Sequence, residues 1–327
     1  MATVSGEERD HVSCQPLFMT FAARLYGVKY LHYVTDHRVL VAAQLAAAEE
    51  FGIDQVTCCS DAWREPHDCG AEVVFFDDAP PACKNHLLAD RTRLATLRMP
   101  RPEDGPRMSD RVAAVAAFAE HLKGRIPING WIEGPVAEAA DLRGINELML
   151  DTIDDPGFVG DLFEWVTEME IGFALAQVTA GADIIGVGDA AASLLPPTYY
   201  GESVFPCAMR MVNAIHDAGA LVRLHVCGNT SHLLPALGRL GADIIELDYP
   251  VDFASVREKT GPEPVLLGNV DPVSVMLGGD VPLVRLRCDE CYRAAAPRFI
   301  VGAGCEIPPA TPHENVRAMV EFARERP

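Results

Sequence analysis

The feature that most constrains this chain is a near-repeat in which a glycine precedes a short apolar run. Residues 180–185 are Ala-Gly-Ala-Asp-Ile-Ile, and residues 240–245 are Leu-Gly-Ala-Asp-Ile-Ile. Glycine commonly ends a helix because it adopts the left-handed conformation at little cost. A short apolar run after such a glycine is typical of a buried strand. Each copy therefore predicts a helix that is followed directly by a buried strand.

Short β-rich runs alternate with longer helical stretches along most of the chain. We predict strands at residues 56–60, 127–132, 183–187, 221–226, 243–247, 264–267 and 298–301, with a further strand or part of a hairpin at 72–76. We predict helices at residues 40–51, 110–123, 158–180 and 205–218. Strands that alternate with helices form parallel βαβ units, and about eight such units form a closed (β/α)8 TIM barrel, which is the α/β fold we expect.

The N-terminal part of the sequence lacks this regular alternation. We expect an alanine-rich helix at residues 40–51, and we expect the residues before it to form a short N-terminal helical extension over one end of the barrel. No linker, low-complexity tract or block of like charges divides the sequence. We therefore predict a single domain over residues 1–327.

The charge balance excludes several classes of partner. The chain has 27 Lys and Arg against 47 Asp and Glu, so its net charge is −20. Such a field repels phosphate backbones and anionic membrane surfaces, and we expect no nucleic acid or membrane partner. Residues 1–12 are polar and acidic, unlike a secretory signal, and no apolar run approaches the roughly 20 residues that span a bilayer. We expect a soluble, cytoplasmic protein.

Polar or metal-binding side chains occupy the ends of most predicted strands. In a TIM barrel the active site forms at these carboxyl ends. The residues in question are Glu133, Asp189, His225, Cys227, Asp248, Asn269 and Cys305. We take Glu133, Asp189 and Asp248 as candidate catalytic residues. The alternative is that the acidic positions are polar only because loops begin there.

Three of these side chains predict a zinc site. His225 and Cys227 are two apart on a predicted strand, so both side chains face the same way. Cys305 follows the last predicted strand, and barrel closure brings that strand end within reach of the mouth. Imidazole and thiolate groups are standard zinc ligands. The sequence therefore predicts one zinc ion held by these three residues.

Three protein ligands leave one zinc position open, which is the pattern of a catalytic site rather than a structural one. The open position can take water, a substrate thiol or a nearby carboxylate. Glu133, Asp189 and Asp248 are the candidates for that carboxylate. A thiol bound to zinc loses its proton and becomes a nucleophile at neutral pH.

Several segments together resemble one known family. They are Gly-Pro at 134–135, Asp189 with Ser193, Pro196, Tyr199 and Tyr200 after it, Leu-His-Val-Cys-Gly-Asn at 224–229, Leu-Gly-Asn-Val-Asp-Pro at 267–272, and Gly-Cys-Glu-Ile-Pro at 304–308 with Thr-Pro-His-Glu-Asn at 311–315. The chain resembles the uroporphyrinogen decarboxylase superfamily over nearly its full length. Within it, the chain is most similar to the zinc-dependent corrinoid methyltransferases, including the methylcobamide:coenzyme M type.

The resemblance implies a TIM barrel with zinc held by His225, Cys227 and Cys305. It also implies movement of a methyl group to or from the cobalt of a corrinoid (cobalamin), which a separate corrinoid carrier protein supplies. The small-molecule substrate is then a thiol acceptor or a methoxy- or methylamine-type donor, and the direction stays open. We take Asn269, in the Gly-Asn-x-Asp-Pro segment, as a candidate cofactor-binding residue.

Two alternatives remain. The first is uroporphyrinogen decarboxylase itself, in which Asp77 matches the family's pyrrole-binding aspartate, and we retain it as a second cofactor-binding candidate. Against this, Arg24 and Arg38 are isolated where the decarboxylases have an arginine-rich segment, and a polyanionic tetrapyrrole suits an acidic mouth poorly. The second alternative is a non-catalytic zinc-binding barrel, which a closed fourth ligand would favour.

Overall fold

A curved, mostly parallel sheet forms the centre of the protein. The computed structural model describes residues 2–7 and 10–326. The strands are β1 Val56–Thr57, β2 Val73–Val74, β3 Ala82–Cys83, β4 Ile128–Glu133, β5 Ile184–Gly188, β6 Leu221–Val226, β7 Ile244–Leu247, β8 Val265–Gly268 and β9 Phe299–Ile300. Seven of them form one parallel sheet in the order β1-β4-β5-β6-β7-β8-β9. The TIM-barrel prediction is confirmed.

Helices connect successive strands and cover the outside of the sheet. They are α1 Ala2–Ser5, α2 Thr20–Tyr26, α3 Tyr30–Thr35, α4 His37–Phe51, α5 Arg64–Asp68, α6 Pro106–Leu122, α7 Pro135–Arg143, α8 Ile145–Asp154, α9 Pro156–Ala180, α10 Pro197–Tyr199, α11 Phe205–Asp217, α12 Leu234–Leu237, α13 Val256–Thr260, α14 Val281–Ala295 and α15 His313–Arg324. Helices α1 to α3 form the predicted N-terminal extension. Across the described residues, no helix is long and apolar enough to cross a membrane.

The near-repeat has a structural role in both copies. Gly181 and Gly241 adopt positive φ angles of 111° and 86°. Gly181 ends α9 as predicted, but α12 ends at Gly238, so the prediction that Gly241 ends a helix is wrong. The aspartate of each copy is bound in the same way. Asp183 Oδ2 accepts a 2.8 Å hydrogen bond from the backbone N–H of Ile128, and Asp243 Oδ2 accepts one of the same length from Val222. Each aspartate therefore binds the start of the preceding strand and sets the register there.

The barrel is closed by an N-terminal segment, residues 13–15, rather than by an eighth regular strand. The backbone N–H of Val301 donates to Ser13 O at 2.8 Å, and Gln15 N donates to Val301 O at 2.9 Å. On the other side, Asp54 N donates to Cys14 O at 3.0 Å. The segment thus lies between β9 and the approach to β1, in the eighth position of the barrel.

The predicted strand at residues 72–76 is not part of the barrel. Only β2 forms there, and it pairs antiparallel with β3 in a separate two-stranded sheet. The hairpin alternative is therefore confirmed and the barrel-strand alternative is wrong. The side chains of β2 are only partly buried, which suits a surface hairpin more than a strand covered on both faces.

The interior of the barrel changes from apolar to polar towards the carboxyl ends of the strands. Alternate residues of β6 face inward, namely Leu221, Arg223 and His225. At the amino-terminal end, Leu221 packs on an apolar cluster. That cluster contains Ile184, Ile244, Val265, Leu267 and Ile300, with Val4 also against it. Above this layer lies Arg223, and above that lies His225, so the strand presents this predicted zinc ligand at the mouth.

A buried ion pair occupies the middle layer. Arg223 Nε and Nη2 donate to the two carboxylate oxygens of Glu246 at 3.0 and 2.7 Å, and Arg223 Nη1 donates to Gln55 Oε1 at 2.9 Å. Both charged side chains are fully buried. Such a pair is stable only when the hydrogen bonds of both partners are satisfied, and the two-pronged geometry meets that requirement.

The closing segment depends on one carboxylate. Asp54 Oδ2 accepts a 2.7 Å hydrogen bond from Cys14 N, and its Oδ1 lies 3.2 Å from His11 Nε2. We expect Asp54→Ala to lower the free energy of unfolding by about 1–3 kcal/mol, because the buried Cys14 N–H loses its acceptor. Urea unfolding followed by circular dichroism measures this change.

Asp10→Ala is the matched control. Asp10 contacts the same histidine, but its side chain is 90% exposed. We expect this change to alter the free energy of unfolding by less than about 0.5 kcal/mol. Equal stability of the two variants would contradict the role given to Asp54.

Candidate metal centre

The three predicted metal ligands come together at the mouth of the barrel. His225 is the fifth residue of β6, Cys227 follows that strand directly, and Cys305 lies on the loop after β9. His225 Nε2 lies 3.0 Å from Cys227 Sγ and 3.9 Å from Cys305 Sγ. The two sulfur atoms are 3.9 Å apart. All three ligand atoms therefore face one point.

The donor set and its spacing fit zinc. In a tetrahedral site with ordinary Zn–N and Zn–S bonds, neighbouring ligand atoms are about 3.6–3.8 Å apart. Two of the three observed separations are 3.9 Å, and the third is 3.0 Å. One nitrogen and two sulfur donors favour zinc over magnesium or calcium, which prefer oxygen.

Of the three predicted ligands, only Cys305 is in the protonation state that a metal requires, and the other two share protons that a metal would displace. The hydrogen bond with Cys227 and the contact with His225 lower the pKa of Cys305 to about 4 despite burial. The same hydrogen bond, together with burial, raises the pKa of Cys227. Burial alone would lower the pKa of His225, but the charges of Cys227 and Glu246 outweigh it and raise that pKa. A thiolate beside an imidazolium is therefore favoured, and a cation can replace the shared protons.

Glu246 lies directly behind His225. Its Oε2 is 3.2 Å from His225 Nδ1, although the ring nitrogen is out of line for a well-formed hydrogen bond. Burial alone would raise the pKa of Glu246, but Arg223 and His225 outweigh it and lower that pKa to about 2. A carboxylate on the far ring nitrogen orients a metal-binding histidine and increases its basicity. The middle layer of the barrel thus supports the ligand above it.

Asp248 and Asn269 hold the loops around the three ligands. Asp248 Oδ2 accepts a 2.7 Å hydrogen bond from Gly228 N, the residue after Cys227, and Oδ1 accepts one from Tyr249 N. Asn269 Nδ2 donates to the backbone oxygens of Asp248 and Val251 at 3.1 and 2.8 Å. Both side chains therefore position the loops after β6 and β7.

Glu133 and Asp189 are also engaged elsewhere in the structure. Glu133 Oε1 accepts a 2.6 Å hydrogen bond from Arg64 Nη2, and burial raises the pKa of Glu133 to about 7 while Arg64 limits the rise. Asp189 Oδ1 accepts from Val136 N and Ala137 N at 2.9 and 2.8 Å, at the start of α7. Burial raises the pKa of Asp189 to about 7, although the hydrogen bonds from these two N–H groups lower it.

The structure does not bring the remaining candidates into the group of three ligands. Among the described residues, no carboxylate oxygen of Glu133, Asp189 or Asp248 lies within 4.8 Å of all three ligand atoms. Asp77 is exposed and forms a 2.5 Å ion pair with Lys29 on the surface. The catalytic and cofactor-binding roles of these residues stay predictions.

Two residues that matter here were not singled out from the sequence. Glu246 and Arg64 are fully buried, and each bonds a charged partner on a different element. A signal was present for Glu246, because a charged residue inside the apolar strand Ile-Ile-Glu-Leu requires a buried partner. Arg223, in the neighbouring strand, gives the same signal. For Arg64 the sequence offers no comparable pattern.

We expect Glu246→Gln to lower the free energy of unfolding by about 3–5 kcal/mol at pH 7, because it leaves Arg223 buried without its counter-charge. The folded pKa of about 2 lies below the usual value, so this stabilisation is complete above about pH 4.3. It is lost as the pH falls through about 2. The difference between the natural protein and the variant should therefore narrow in acid, as urea unfolding at several pH values will measure.

Glu258→Gln on α13 is the control, since Glu258 is exposed. We expect a change of less than about 0.5 kcal/mol at any pH. A Glu246→Gln effect that stays constant from neutral to strongly acidic pH would contradict a role based on charge.

Comparison with known proteins places this geometry in a family. Uroporphyrinogen decarboxylase of Trichlorobacter lovleyi is 28% identical over 282 residues, which are 83% of this chain and 79% of that protein. The methylcobamide:CoM methyltransferase MtbA of Methanosarcina mazei is 27% identical over 262 residues, 78% of this chain and 74% of that protein. The relatives therefore include both decarboxylases and methyltransferases.

The fold has a close match among solved structures. A methyltransferase from Methanosarcina mazei superposes with a TM-score of 0.90 at 23% sequence identity, over 99% of this chain and 96% of that one. Residues 1–326 match the uroporphyrinogen decarboxylase (URO-D) family. This chain therefore belongs to the uroporphyrinogen decarboxylase family.

Proposed function

We propose that the protein is a zinc-dependent methyltransferase that moves a methyl group between a protein-bound corrinoid and a small substrate. The observation that carries the proposal is the convergence of His225 Nε2, Cys227 Sγ and Cys305 Sγ at the mouth of the barrel. Three protein ligands with no carboxylate in the group leave a fourth position for a substrate atom.

The charge of this ligand set suits sulfur chemistry. Bound zinc would act as a Lewis acid on a substrate thiol or on the donor atom of a methylated substrate. As thiolates, Cys227 and Cys305 would already offset the charge of the ion. A substrate thiolate bound at the fourth position would therefore keep its negative charge. His225 binds through Nε2, while Glu246 behind Nδ1 maintains its orientation. Asp248 holds the backbone N–H next to Cys227, which limits movement of that ligand.

The relatives support the proposal. The name of the MtbA relative states methyl transfer between a methylcobamide and CoM. A second relative from Methanosarcina mazei, 28% identical over 219 residues, is named methylated-thiol–coenzyme M methyltransferase. We infer by analogy that a corrinoid carrier protein is the partner of this chain. The family match across residues 1–326 also supports the proposal of a single domain over residues 1–327.

Uroporphyrinogen decarboxylase activity is the second candidate, because a relative with that name is 28% identical. The surface ion pair of Asp77 with Lys29 argues against a pyrrole-binding role in this conformation. A net charge of −20 also disfavours a substrate with many carboxylates. We therefore place methyl transfer first.

Metal analysis tests the site. We expect purified protein to hold about one zinc per chain, and we expect Cys227→Ala and Cys305→Ala each to lose most of it, because each removes a thiolate ligand. Cys83→Ala is the control, since Cys83 is a free thiol in the surface hairpin. Unchanged zinc in both ligand variants would remove the basis of the assignment.

Spectroscopy tests the reaction. We expect methylcobalamin mixed with the enzyme and a panel of thiols to lose its methyl-Co(III) absorption in a zinc-dependent way if the thiol is the acceptor. Reduced corrinoid mixed with methoxy-aromatic or methylamine-type donors should gain that absorption if transfer runs the other way. Cys305→Ala should abolish either change and Cys83→Ala should not. If neither absorption change occurs and the enzyme forms coproporphyrinogen from uroporphyrinogen, the decarboxylase assignment is supported instead.

A further inference from the structure

A second cluster of potential metal ligands lies away from the cysteine site, between three helices. Glu65 of α5, Glu138 of α7 and Glu170 of α9 each offer one oxygen, and these three oxygens lie within 4.8 Å of one another. All three side chains are fully buried. Helix α7 contacts both α5 and α9.

Most oxygens of this cluster have no hydrogen-bond donor. Among the described residues, both oxygens of Glu138, both oxygens of Glu170 and Oε1 of Glu65 form no hydrogen bond of ordinary geometry. The backbone N–H of Glu133 is close enough to Glu170 to limit the rise of its pKa, but it is out of line for a well-formed bond. Only Oε2 of Glu65 is bonded, to Arg64 Nε at 3.2 Å. An unpartnered buried carboxylate is expensive, and natural proteins rarely contain even one. Three adjacent buried carboxylates with five unpartnered oxygens therefore require an explanation.

The charges nearby do not balance. Arg64 is fully buried, and its guanidinium group also bonds Glu133 at 2.6 Å, so one positive charge faces four carboxylates. Burial raises the pKa of Glu138, and the charge of Glu170 raises it further. Burial likewise raises the pKa of Glu170, and the charges of Glu65 and Glu133 raise it further. A bound cation or a set of bound protons must offset the excess of negative charge.

We propose that Glu65, Glu138 and Glu170 bind a hard divalent cation such as Mn²⁺, Mg²⁺ or Ca²⁺. Such ions take six to eight oxygen ligands at about 2.0–2.6 Å, so ligand oxygens on opposite sides are about 4–5 Å apart. The observed separations fall within that limit. One oxygen of each carboxylate therefore supplies three ligands without movement of the helices, and water can complete the coordination shell.

The ligand set separates this site from the cysteine site. Carboxylate oxygens favour Mg²⁺, Ca²⁺ and Mn²⁺, whereas thiolates favour zinc. The site is also connected to the mouth of the barrel, because Glu65 bonds Arg64 and Arg64 bonds Glu133. The cation is thus a positioning element for Glu133, and its binding does not depend on methyl transfer.

Metal content of the full-length protein tests this proposal. Protein expressed with added Mn²⁺ and purified without chelator should hold about one Mn²⁺ per chain by elemental analysis and electron paramagnetic resonance. Glu138→Gln and Glu170→Gln should each reduce the bound Mn²⁺ by about tenfold or more, because each replaces a charged ligand by a neutral amide. Parallel expressions with Mg²⁺ and Ca²⁺ identify the preferred ion.

Two controls isolate the cluster. Glu168→Gln lies on the same helix, and the Glu168 side chain is 58% exposed, so this variant should keep its Mn²⁺. Cys227→Ser should lose zinc and keep Mn²⁺, which distinguishes this site from the proposed catalytic centre. Fewer than about 0.1 ions per chain in the natural protein with all three cations would overturn the proposal. So would a melting temperature of the natural protein that is the same with added Mn²⁺ and with added chelator, because that result indicates that bound protons alone offset the charge.

Discussion

The buried pairing of Arg223 with Glu246 is the interaction on which the upper half of the barrel depends. It separates an apolar layer below from the layer of predicted metal ligands above. Both charges are buried away from water, so each needs the other as a partner. The two hydrogen bonds between the guanidinium group and the carboxylate meet that need. The same carboxylate then supports His225 from behind. A residue that stabilises the interior therefore also determines the orientation of a ligand at the mouth.

Local sequence predicts where the strands lie along the chain. It does not predict which segment closes the barrel. Glycines and apolar runs predicted β5 and β7 to within one residue, because both signals act between neighbours in the chain. The hydrogen bonds of residues 13–15 with Val301 join distant segments, so no local pattern reports them. The hairpin at β2 was ambiguous for a related reason. A short β-rich run does not reveal which strand it pairs with.

The residues of the candidate site likewise divide into those whose position local spacing predicts and those whose position it does not. His225 and Cys227 share a strand face, so their proximity follows from spacing. The proximity of Cys305 to these two residues could be predicted only by assuming that the chain forms a closed barrel. The carboxylates at the strand ends illustrate what spacing leaves open. Asp189 stays a candidate catalytic residue, and its Oδ1 also accepts the first N–H groups of α7, where the helix dipole favours a negative charge. Only the three-dimensional contacts distinguish a carboxylate that supports a helix from one that faces substrate.

The position of residues 13–15 has a consequence for the order of folding. Cys14 pairs with Val301 across most of the chain, and a ribosome makes the first of them long before the second. The early segment can bond Asp54 soon after synthesis, but its bonds to Val301 must wait until β9 emerges. Cys305 lies only a few residues after β9, so the last ligand reaches His225 and Cys227 in the same late step that closes the barrel. Assembly of the proposed metal site and completion of the fold are thus the same late step.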